Sequence, residues 1–409
     1  MNILYISYDG LSDPLGQSQI IPYMKGVAAA GFQVTILSAE KKDQLNQQGL
    51  QIFRDLTENN INWFHIPYTY RPAVLSTLID LLRMRRMVKK LHRQKNFDIV
   101  HCRSYLPATI GYRMKKHYGL KFIFDMRGFW ADERVDGKIW KLQNPLYRFI
   151  YRYFKKYEKK FLQTADLILS LTEAGKREII TWPILKNRQF DVQVIPCCAD
   201  AALFDPKKIN STRIKEKKEA LGLDEKDFVM SYLGSIGTWY LLDEMLDFFQ
   251  CLLNVKPDAK FLFITPEPPE SIINKALKKK ISSSKIIVVK AFREEVPLYL
   301  NLSDISIFFI RAVFSKIASS PTKQAEVMSM GIPMICNSGI GDTDKLIQQT
   351  RSGLIVDKFN IASYEKVIDQ LDELLKVPKE SIREGAIRYL SLESGIKKYL
   401  EVYKLVTRL

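Results

Sequence analysis

Short apolar runs, each followed by a segment long enough for a helix, recur along this chain in two series. The first series lies at residues 2–7, 31–36, 63–66, 99–102, 122–124 and 167–171, and the second at residues 228–233, 260–265, 286–289, 305–310 and 333–336. Alternating strands and helices predict a parallel sheet with helices on its faces. Because 409 residues exceed the size at which one core usually divides, we predict two such α/β domains.

The segment around residues 305–336 carries the clearest chemistry, because it predicts a strand, a loop, a short helix around residues 325–330 and a second strand. The loop of such a unit lies at the carboxyl edge of the sheet, where open α/β folds bind ligands. The helix N-terminus favours an anion, Lys323 adds positive charge, and Glu326 can accept hydrogen bonds from sugar hydroxyls. This combination indicates a nucleoside diphosphate site. In the alternative interpretation, the loop hydroxyls only cap the helix and Glu326 is a surface carboxylate.

Further motifs follow one another along the chain: GQSQ at 16–19, FDIVH at 97–101, RGFW at 127–130, VIPCCAD at 194–200, SYLGS at 231–235, SPTK at 320–323 and MGIP at 330–333. Together with Glu326 they resemble the family 4 glycosyltransferases, enzymes that use nucleotide-sugar donors. The GQSQ, RGFW and SPTK motifs resemble a bacterial subgroup associated with surface-polysaccharide assembly.

The resemblance implies the α/β fold called GT-B, with two Rossmann-like, doubly wound domains facing across a cleft. An acceptor-binding domain is expected at residues 1–200 and a nucleotide-sugar domain at 201–384, with a helix in 385–409 that crosses back to the first domain. Glu326 would bind the donor ribose, and the nucleobase would lie against residues 291–293. The donor-binding residues implied in this way are Gly16, Gly234, Ser235, Thr238, Ala291, Phe292, Arg293, Ser319, Ser320, Pro321, Thr322, Lys323 and Glu326.

The sequence departs from the family pattern where the diphosphate is usually bound. Ala318 stands where the first glutamate of a pair is expected, and Ser235 stands where an arginine is expected. The lysine that usually follows is missing near Thr238. Lys323 and Arg311 are therefore the candidates to supply the missing positive charge.

In the first domain, Arg127 stands roughly where the family keeps a histidine, and this position makes it a candidate catalytic residue. Asp132 or Glu133 would orient or deprotonate the acceptor hydroxyl as the catalytic carboxylate. In the alternative, Arg127 and Arg134 bind a pyrophosphate of the acceptor, since guanidinium groups hold phosphate bidentately. His101, at the end of a predicted strand, is either catalytic and open to the cleft or structural.

Positive charge is concentrated in one part of the chain. Residues 71–160 contain 23 Lys and Arg against 7 Asp and Glu, which accounts for most of the net charge of +17. Two amphipathic patterns lie there: Leu81, Met84, Val88 and Leu91, and then Leu146, Phe149, Ile150, Tyr153, Phe154, Tyr157 and Phe161. Basic helices with apolar faces bind anionic membrane surfaces. The alternatives are an ordinary core face with a solvated rim and, disfavoured for want of a motif, nucleic-acid binding.

The remaining composition excludes several classes. The five cysteines have no Cys-x-x-Cys spacing and are expected to be reduced and buried, and neither they nor the four histidines form a metal motif. No Gly-x-Gly-x-x-Gly occurs in the first loop, which disfavours a nicotinamide or flavin cofactor. We expect no signal peptide and no membrane-spanning segment. No cofactor or metal is expected.

These observations predict a cytoplasmic, peripheral-membrane glycosyltransferase of hexosyltransferase type on the inner face of the membrane. It would move a sugar from a nucleoside diphosphate, uridine rather than guanosine, onto a polyprenyl-pyrophosphate-linked glycan. The resemblance further implies that the anomeric configuration is retained. A GT-B enzyme with a soluble acceptor and a nucleotide-sugar epimerase are alternatives. A catalytically inactive assembly protein is the alternative of another class, which Ala318 favours.

Overall fold

The computed structural model describes residues 1–72, 74–185 and 191–408. They divide into two compact units: unit 1 comprises residues 1–196, 317–319 and those from 395 onward, and unit 2 comprises residues 197–316 and 320–394. The first division lies close to the boundary expected after residue 200. Residue 409, the last of the predicted segment 385–409, lies outside the described residues.

Unit 1 contains a doubly wound parallel sheet of seven strands. These are β1 (Asn2–Ser7), β2 (Gln33–Glu40), β3 (Ile61–Pro67), β4 (Ile99–Arg103), β5 (Lys121–Asp125), β6 (Leu167–Ser170) and β7 (Val192–Val194). They pair in the order β3-β2-β1-β4-β5-β6-β7, so the order reverses at β1 and β4. Six of these strands match predicted apolar runs, and β7 is additional.

The helices of unit 1 cover both faces of this sheet. They are α1 (Pro14–Gln19), α2 (Ile21–Ala29), α3 (Lys42–Glu58), α4 (Leu75–Lys95), α5 (Tyr105–Tyr118), α6 (Trp130–Asp136), α7 (Pro145–Thr164) and α8 (Glu173–Thr181). The Tyr118 ring of α5 lies 4.8 Å from His92 of α4, and Tyr112 of α5 lies 6.2 Å from Tyr157 of α7. The helices α4, α5 and α7 therefore form one layer, called the basic layer below.

Unit 2 contains a second parallel sheet, of six strands. These are β8 (Val229–Leu233), β9 (Lys260–Ile264), β10 (Ile286–Val289), β11 (Ile305–Phe308), β12 (Met334–Asn337) and β13 (Gly353–Val356). Their order is β10-β9-β8-β11-β12-β13, which reverses between β8 and β11. The carboxyl ends of these two strands form the position where doubly wound sheets bind ligands.

The later helices are α9 (Ser211–Ala220), α10 (Leu242–Val255), α11 (Pro269–Lys278), α12 (Val296–Leu300), α13 (Thr322–Ser329), α14 (Thr343–Thr350), α15 (Ile361–Ile368), α16 (Leu371–Leu375), α17 (Lys379–Leu390) and α18 (Leu392–Arg408). Helix α13 begins earlier than the predicted range of 325–330. It ends at a turn where Gly331 has φ +69° and where a Cβ would lie 2.6 Å from the Lys379 carbonyl oxygen, so glycine is required there.

From Gly395 onward, α18 packs within unit 1. The Tyr399 ring lies 5.2 Å from Tyr23 of α2, and Ile396 fills the space above Gly26. Within the described ranges, no helix combines the length and apolarity that a membrane crossing needs. The prediction of two doubly wound, parallel-sheet α/β domains is confirmed.

Candidate active site

Lys323 lies near the start of α13 and is buried without a hydrogen-bond partner for Nζ in the described part of the chain. Its Nζ lies 3.5 Å from the centroid of the Tyr240 ring and 4.0 Å from that of Tyr232. Burial lowers the pKa of Lys323 well below its usual range, although the nearby Glu326 charge acts in the opposite direction. A buried amino group with unused donors is ready to bind an anion.

Glu326 lies one turn further along α13 and is buried as well. Its Oε1 accepts a hydrogen bond of 3.0 Å from Nη1 of Arg293. Burial raises the pKa of Glu326, while the charges of Arg293 and Lys323 lower it. The interpretation of Glu326 as a surface carboxylate is therefore wrong. The structure brings together Glu326, Lys323 and Arg293, three of the predicted donor-binding residues, and their binding of a donor stays a prediction.

The loop after β8 passes beside Lys323. Gly234 has φ +99°, and a Cβ at this position would lie 3.5 Å from Nζ of Lys323. Ser235 is exposed and accepts a hydrogen bond from the Tyr232 hydroxyl through its carbonyl oxygen, and Thr238 is exposed further along the loop. Lys323, Glu326, Arg293 and Gly234 are called the unit 2 cluster below.

The loop before α13 differs in detail from the expectation. Pro321 precedes the first helical residue, and within the described residues no side chain caps α13, so the capping interpretation is wrong. Pro321 also has no N–H to offer an anion, which leaves Thr322 and Lys323 at the helix start. Ser320 Oγ accepts a hydrogen bond of 3.1 Å from the Cys197 amide.

Ser319 belongs to unit 1 with Ile317 and Ala318. Thr172 Oγ1 donates a hydrogen bond of 2.8 Å to the Ile317 carbonyl oxygen, and Ala318 Cβ lies 2.9 Å from the position that a Cβ on Gly175 would take. A glutamate side chain at position 318 would have to enter this contact. The alanine is therefore a packing residue of unit 1.

The segment after β10 carries the residues expected at the nucleobase. Ala291 is half-buried, whereas Phe292 is 71% exposed, so the alternative of core packing for this ring is wrong. Arg293 follows, with its Cζ 5.5 Å from the Phe204 ring and its Nη1 on Glu326. The segment thus combines an exposed aromatic ring with the partner of Glu326.

In unit 1, His101 lies in a buried polar network. Its Nδ1 lies 2.8 Å from the Tyr403 hydroxyl, and its Nε2 lies 3.6 Å from Oδ2 of Asp125. Burial lowers the pKa of His101 even though Asp125 raises it. Because the ring has no exposed surface, the structural interpretation of His101 is supported and its catalytic interpretation is not.

Asp125 stays ionised in this network. Burial raises its pKa, but the charges of Arg127, His101 and Arg103 outweigh burial and place the pKa of Asp125 below its usual value. Tyr399 donates a hydrogen bond of 3.4 Å to Asp125 Oδ2. Arg127, predicted to be catalytic, is half-buried beside this carboxylate and has φ +52°.

Asp132 and Glu133 lie at the start of α6. Asp132 is buried and accepts hydrogen bonds from the Tyr151 hydroxyl at 2.7 Å and from Lys155 Nζ at 2.9 Å. With both oxygens engaged by α7, Asp132 fastens α6 to α7, and a role as base is not supported by this geometry. Glu133 is half-buried.

Gly16 lies in α1 and belongs to unit 1, whereas the residues of the unit 2 cluster belong to unit 2. A Cβ at Gly16 would lie 2.2 Å from the Gly10 carbonyl oxygen, so the glycine allows a close approach of two backbone segments. Backbone packing is therefore sufficient to explain why position 16 is a glycine, and no contact with the sugar donor is needed for that explanation.

The structure corrects the predicted apolar face of α4. Met84, Val88 and Leu91 are buried in the core of unit 1. Exposed apolar side chains on two helices of the basic layer are instead Leu75, Leu78 and Leu82 on α4 and Leu146, Phe149 and Tyr153 on α7. Each trio has the spacing i, i+3, i+7 and so lies on one face of its helix.

Within residues 1–72, 74–185 and 191–408, no group of three or more His, Cys, Asp or Glu is arranged to hold a metal ion. The expectation of a reaction without metal or cofactor remains a prediction.

Two family profiles match the chain. The profile of Glycosyltransferase Family 4 matches residues 23–203, and that of Glycosyl transferases group 1 matches residues 213–386. The chain belongs to glycosyltransferase family 4. The predicted glycosyltransferase of hexosyltransferase type is confirmed at the level of this family, and its two domains are of the GT-B type.

Relatives of this glycosyltransferase differ widely in sequence. The alpha-monoglucosyldiacylglycerol synthase of Acholeplasma laidlawii is 20% identical over 346 residues, which cover 83% of this chain and 81% of that protein. The sucrose-phosphate synthase of Thermosynechococcus elongatus has a TM-score of 0.75 at 13% identity, covering 100% of this chain and 99% of that chain. Anabaena HepE, solved with UDP and glucose, has a TM-score of 0.69 at 11% identity, covering 98% and 99%.

Several residues around the unit 2 cluster were not predicted from the sequence. Tyr232 and Tyr240 both contact the Lys323 amino group, and Lys316 Nζ lies 3.8 Å from the Trp239 ring centroid. The sequence feature that could have indicated these residues is the aromatic content of residues 232–240, on both sides of Gly234. Arg311, the second candidate for the missing charge, is half-buried, and its backbone N–H bonds the Trp239 carbonyl oxygen at 2.9 Å.

Proposed function

We propose that this enzyme transfers a sugar from a UDP-sugar to a lipid-linked glycan at the inner face of the cell membrane, in surface-polysaccharide assembly. The observation that carries the donor half of this proposal is the buried amino group of Lys323, which lacks a hydrogen-bond partner within the described residues and lies one helical turn from Glu326. Uridine is proposed over guanosine because the structural neighbour HepE was solved with UDP.

In this proposal, Lys323 and the N-terminus of α13 bind the diphosphate and stabilise the charge that grows on it as the sugar departs. Glu326, oriented by Arg293, accepts hydrogen bonds from the ribose hydroxyls. The exposed Phe292 ring stacks on the uracil. Lys323 thereby replaces the arginine and lysine that are missing after β8. Reaction occurs with retention, assisted by the leaving phosphate.

The lipid-linked acceptor is proposed from the basic layer. Its exposed apolar side chains, described above, are accompanied on α7 by exposed Arg148, Arg152, Lys156 and Lys159. Each basic residue near an anionic membrane contributes about 1 kcal/mol of binding, and the apolar side chains can enter the headgroup region. The Acholeplasma relative is named for a glucosylated diacylglycerol, which supports a lipid acceptor.

The first test is binding of UDP and GDP measured by thermal shift. Ligand at 100 times its dissociation constant stabilises a protein by about 2.7 kcal/mol, so a bound nucleotide is readily detected. We expect stabilisation by UDP that is lost in Lys323→Gln and kept in Lys345→Gln, which changes an exposed lysine of α14. Stabilisation by UDP that is equal in the two variants would contradict the role of Lys323.

The absence of a glutamate at position 318 favours a second candidate function, that of an inactive assembly protein. Transfer assays with UDP-glucose and farnesyl-pyrophosphate-linked sugar separate the two. A folded sample that neither binds nor consumes any nucleotide sugar would favour the assembly protein. Turnover lost in Lys323→Gln would exclude it, and turnover with soluble acceptors alone would favour the enzyme without a lipid substrate.

A further inference from the structure

We propose that unit 1 binds a phosphoryl group of the acceptor between the guanidinium groups of Arg103 and Arg127. The inference rests on the proposed transferase function and adds the chemistry by which its acceptor is recognised. Arg103 ends β4 and Arg127 follows β5, and these strands are neighbours in the sheet. Both residues therefore lie at the carboxyl edge of unit 1.

Arg103 is the anchor of this site. Its side chain is 4% exposed, and its Nη1 has no hydrogen-bond partner among the residues that the structure describes. Its Nε donates to Oδ2 of Asp9 at 3.2 Å, and the Tyr5 hydroxyl lies beside the same guanidinium. A guanidinium has five N–H donors, and leaving buried ones unused is unfavourable. An oxyanion at this edge would use them.

Asp9 shows that an oxyanion can reach Arg103 from solvent. Its carboxylate is 48% exposed although its partner is buried, so the ion pair lies at the opening of the site. A phosphoryl group has more acceptor oxygens than a carboxylate and matches the guanidinium bidentately. It would therefore displace the Asp9 side chain from Arg103.

Arg127 supplies the second charge. Its φ of +52° is followed by a φ of +103° at Gly128, and a non-glycine residue in the left-handed region is strained. The charges of Arg127 and Arg103 repel one another, while the charge of Asp125 attracts both and offsets part of this repulsion. An oxyanion bound at this edge would offset more of it.

The start of α5 adds to this positive field. The helix begins at Tyr105, directly after Arg103 and Ser104, and within the described residues the Ser104 side chain does not cap it. Its positive dipole end thus points to the same edge of the sheet. Arg134, the other arginine that the sequence indicated for a pyrophosphate, instead lies over the Trp130 ring, with 5.3 Å between Cζ and the ring centroid.

The test is calorimetric titration of the full chain with farnesyl pyrophosphate, glucose 6-phosphate and farnesol. We expect at least one phosphorylated probe to bind, and farnesol to bind far more weakly. Arg103→Gln and Arg127→Gln should each weaken that binding about 10- to 100-fold, the effect of losing a hydrogen bond to a charged group. Arg54→Gln, an exposed arginine of α3, should leave it unchanged.

Farnesyl pyrophosphate as the sole binder would identify a lipid-linked acceptor, and glucose 6-phosphate a soluble one; either supports the site. Equal binding of farnesol, or full binding in a folded Arg127→Gln, would overturn it. Arg127 is half-buried, so this variant keeps the test valid if Arg103→Gln does not fold. Binding lost in Lys323→Gln alone would assign the phosphate to unit 2 and overturn the inference. If a phosphorylated probe bound through the two arginines but UDP did not bind at all, the proposed donor function would be contradicted and the phosphate site in unit 1 would stand.

Discussion

The amino group of Lys323 contacts the rings of both Tyr240 and Tyr232, at 3.5 Å and 4.0 Å from their centroids. The two rings hold it against the loop after β8, where Gly234 leaves room beside it. A diphosphate that reaches this amino group finds a preorganised donor, which is more favourable than ordering a mobile surface lysine.

Donor binding should take up a proton at Lys323. Burial lowers the pKa of Lys323 in the free protein, whereas a bound diphosphate raises it, because the anion favours the charged amine. Between these two pKa values the affinity for UDP should fall as pH rises, by at most about tenfold per pH unit.

Calorimetry in two buffers of different ionisation enthalpy measures the number of protons taken up when UDP binds. The titrations are made above about pH 7, where the phosphate is already ionised. Lys323→Met should bind weakly and without this pH dependence; an equal dependence in Lys323→Met would show that another group titrates.

Gly234→Ala should affect both stability and UDP binding. Alanine at φ +99° is strained, and the lost stability should be about 1 to 2 kcal/mol in chemical denaturation. The added methyl group also occupies the space next to Nζ of Lys323, so UDP affinity should fall. Gly222→Ala is the matched control, because Gly222 has φ +63° with nothing within 4 Å of its Cβ position. The Gly222→Ala variant should lose a similar amount of stability and keep its affinity for UDP. If both variants lost UDP affinity equally, the result would argue against a donor role for the Gly234 loop.

Glu326→Gln should weaken UDP binding through the ribose. Losing hydrogen bonds to a charged carboxylate costs about 1.5 to 3 kcal/mol, or roughly 10- to 150-fold in affinity. The wild type should lose a comparable amount with 2′-deoxy-UDP, while Glu326→Gln should lose little more with that analogue. Additive losses from the variant and the analogue would mean that Glu326 does not contact the 2′-hydroxyl.

Phe149→Glu and Leu78→Glu should reduce flotation with anionic liposomes. Each removes an exposed apolar side chain from the basic layer and adds a charge that anionic lipid repels. Phe53→Glu, at an exposed phenylalanine of α3, changes charge and hydrophobicity equally and should float like the wild type. Flotation that falls equally in all three variants would reflect net charge rather than a defined membrane face.

The sequence predicted most strands because their apolar runs are clear, and it missed β7 and β13 for a physical reason. Val192–Val194 is three residues long with a central glutamine, and Gly353–Val356 begins with a glycine. Segments this short acquire their strand conformation from pairing with β6 and β12, which no local pattern reveals.

The site residues divide in the same way. Lys323 and Glu326 could be predicted as a pair because they lie on one helix, so their spacing is local. The Tyr232 and Tyr240 rings reach Lys323 only through the pairing of the sheet, and Arg103 is recognisable only once its Nη1 is seen to be buried. On α4, two apolar faces satisfy the helical period, and periodicity alone does not tell which of them meets the core.

The pairing of His101 with Tyr403 and of Asp125 with Tyr399 has a consequence for biosynthesis. The sheet of unit 1 is translated before residue 197, but the tyrosines that close its polar core are translated after all of unit 2. During synthesis, His101 and Asp125 therefore lack their tyrosine partners until all of unit 2 has been translated. A ribosome that stalls within unit 2 leaves a nascent chain with an open, charged core, which we expect to be a target for chaperones and proteases.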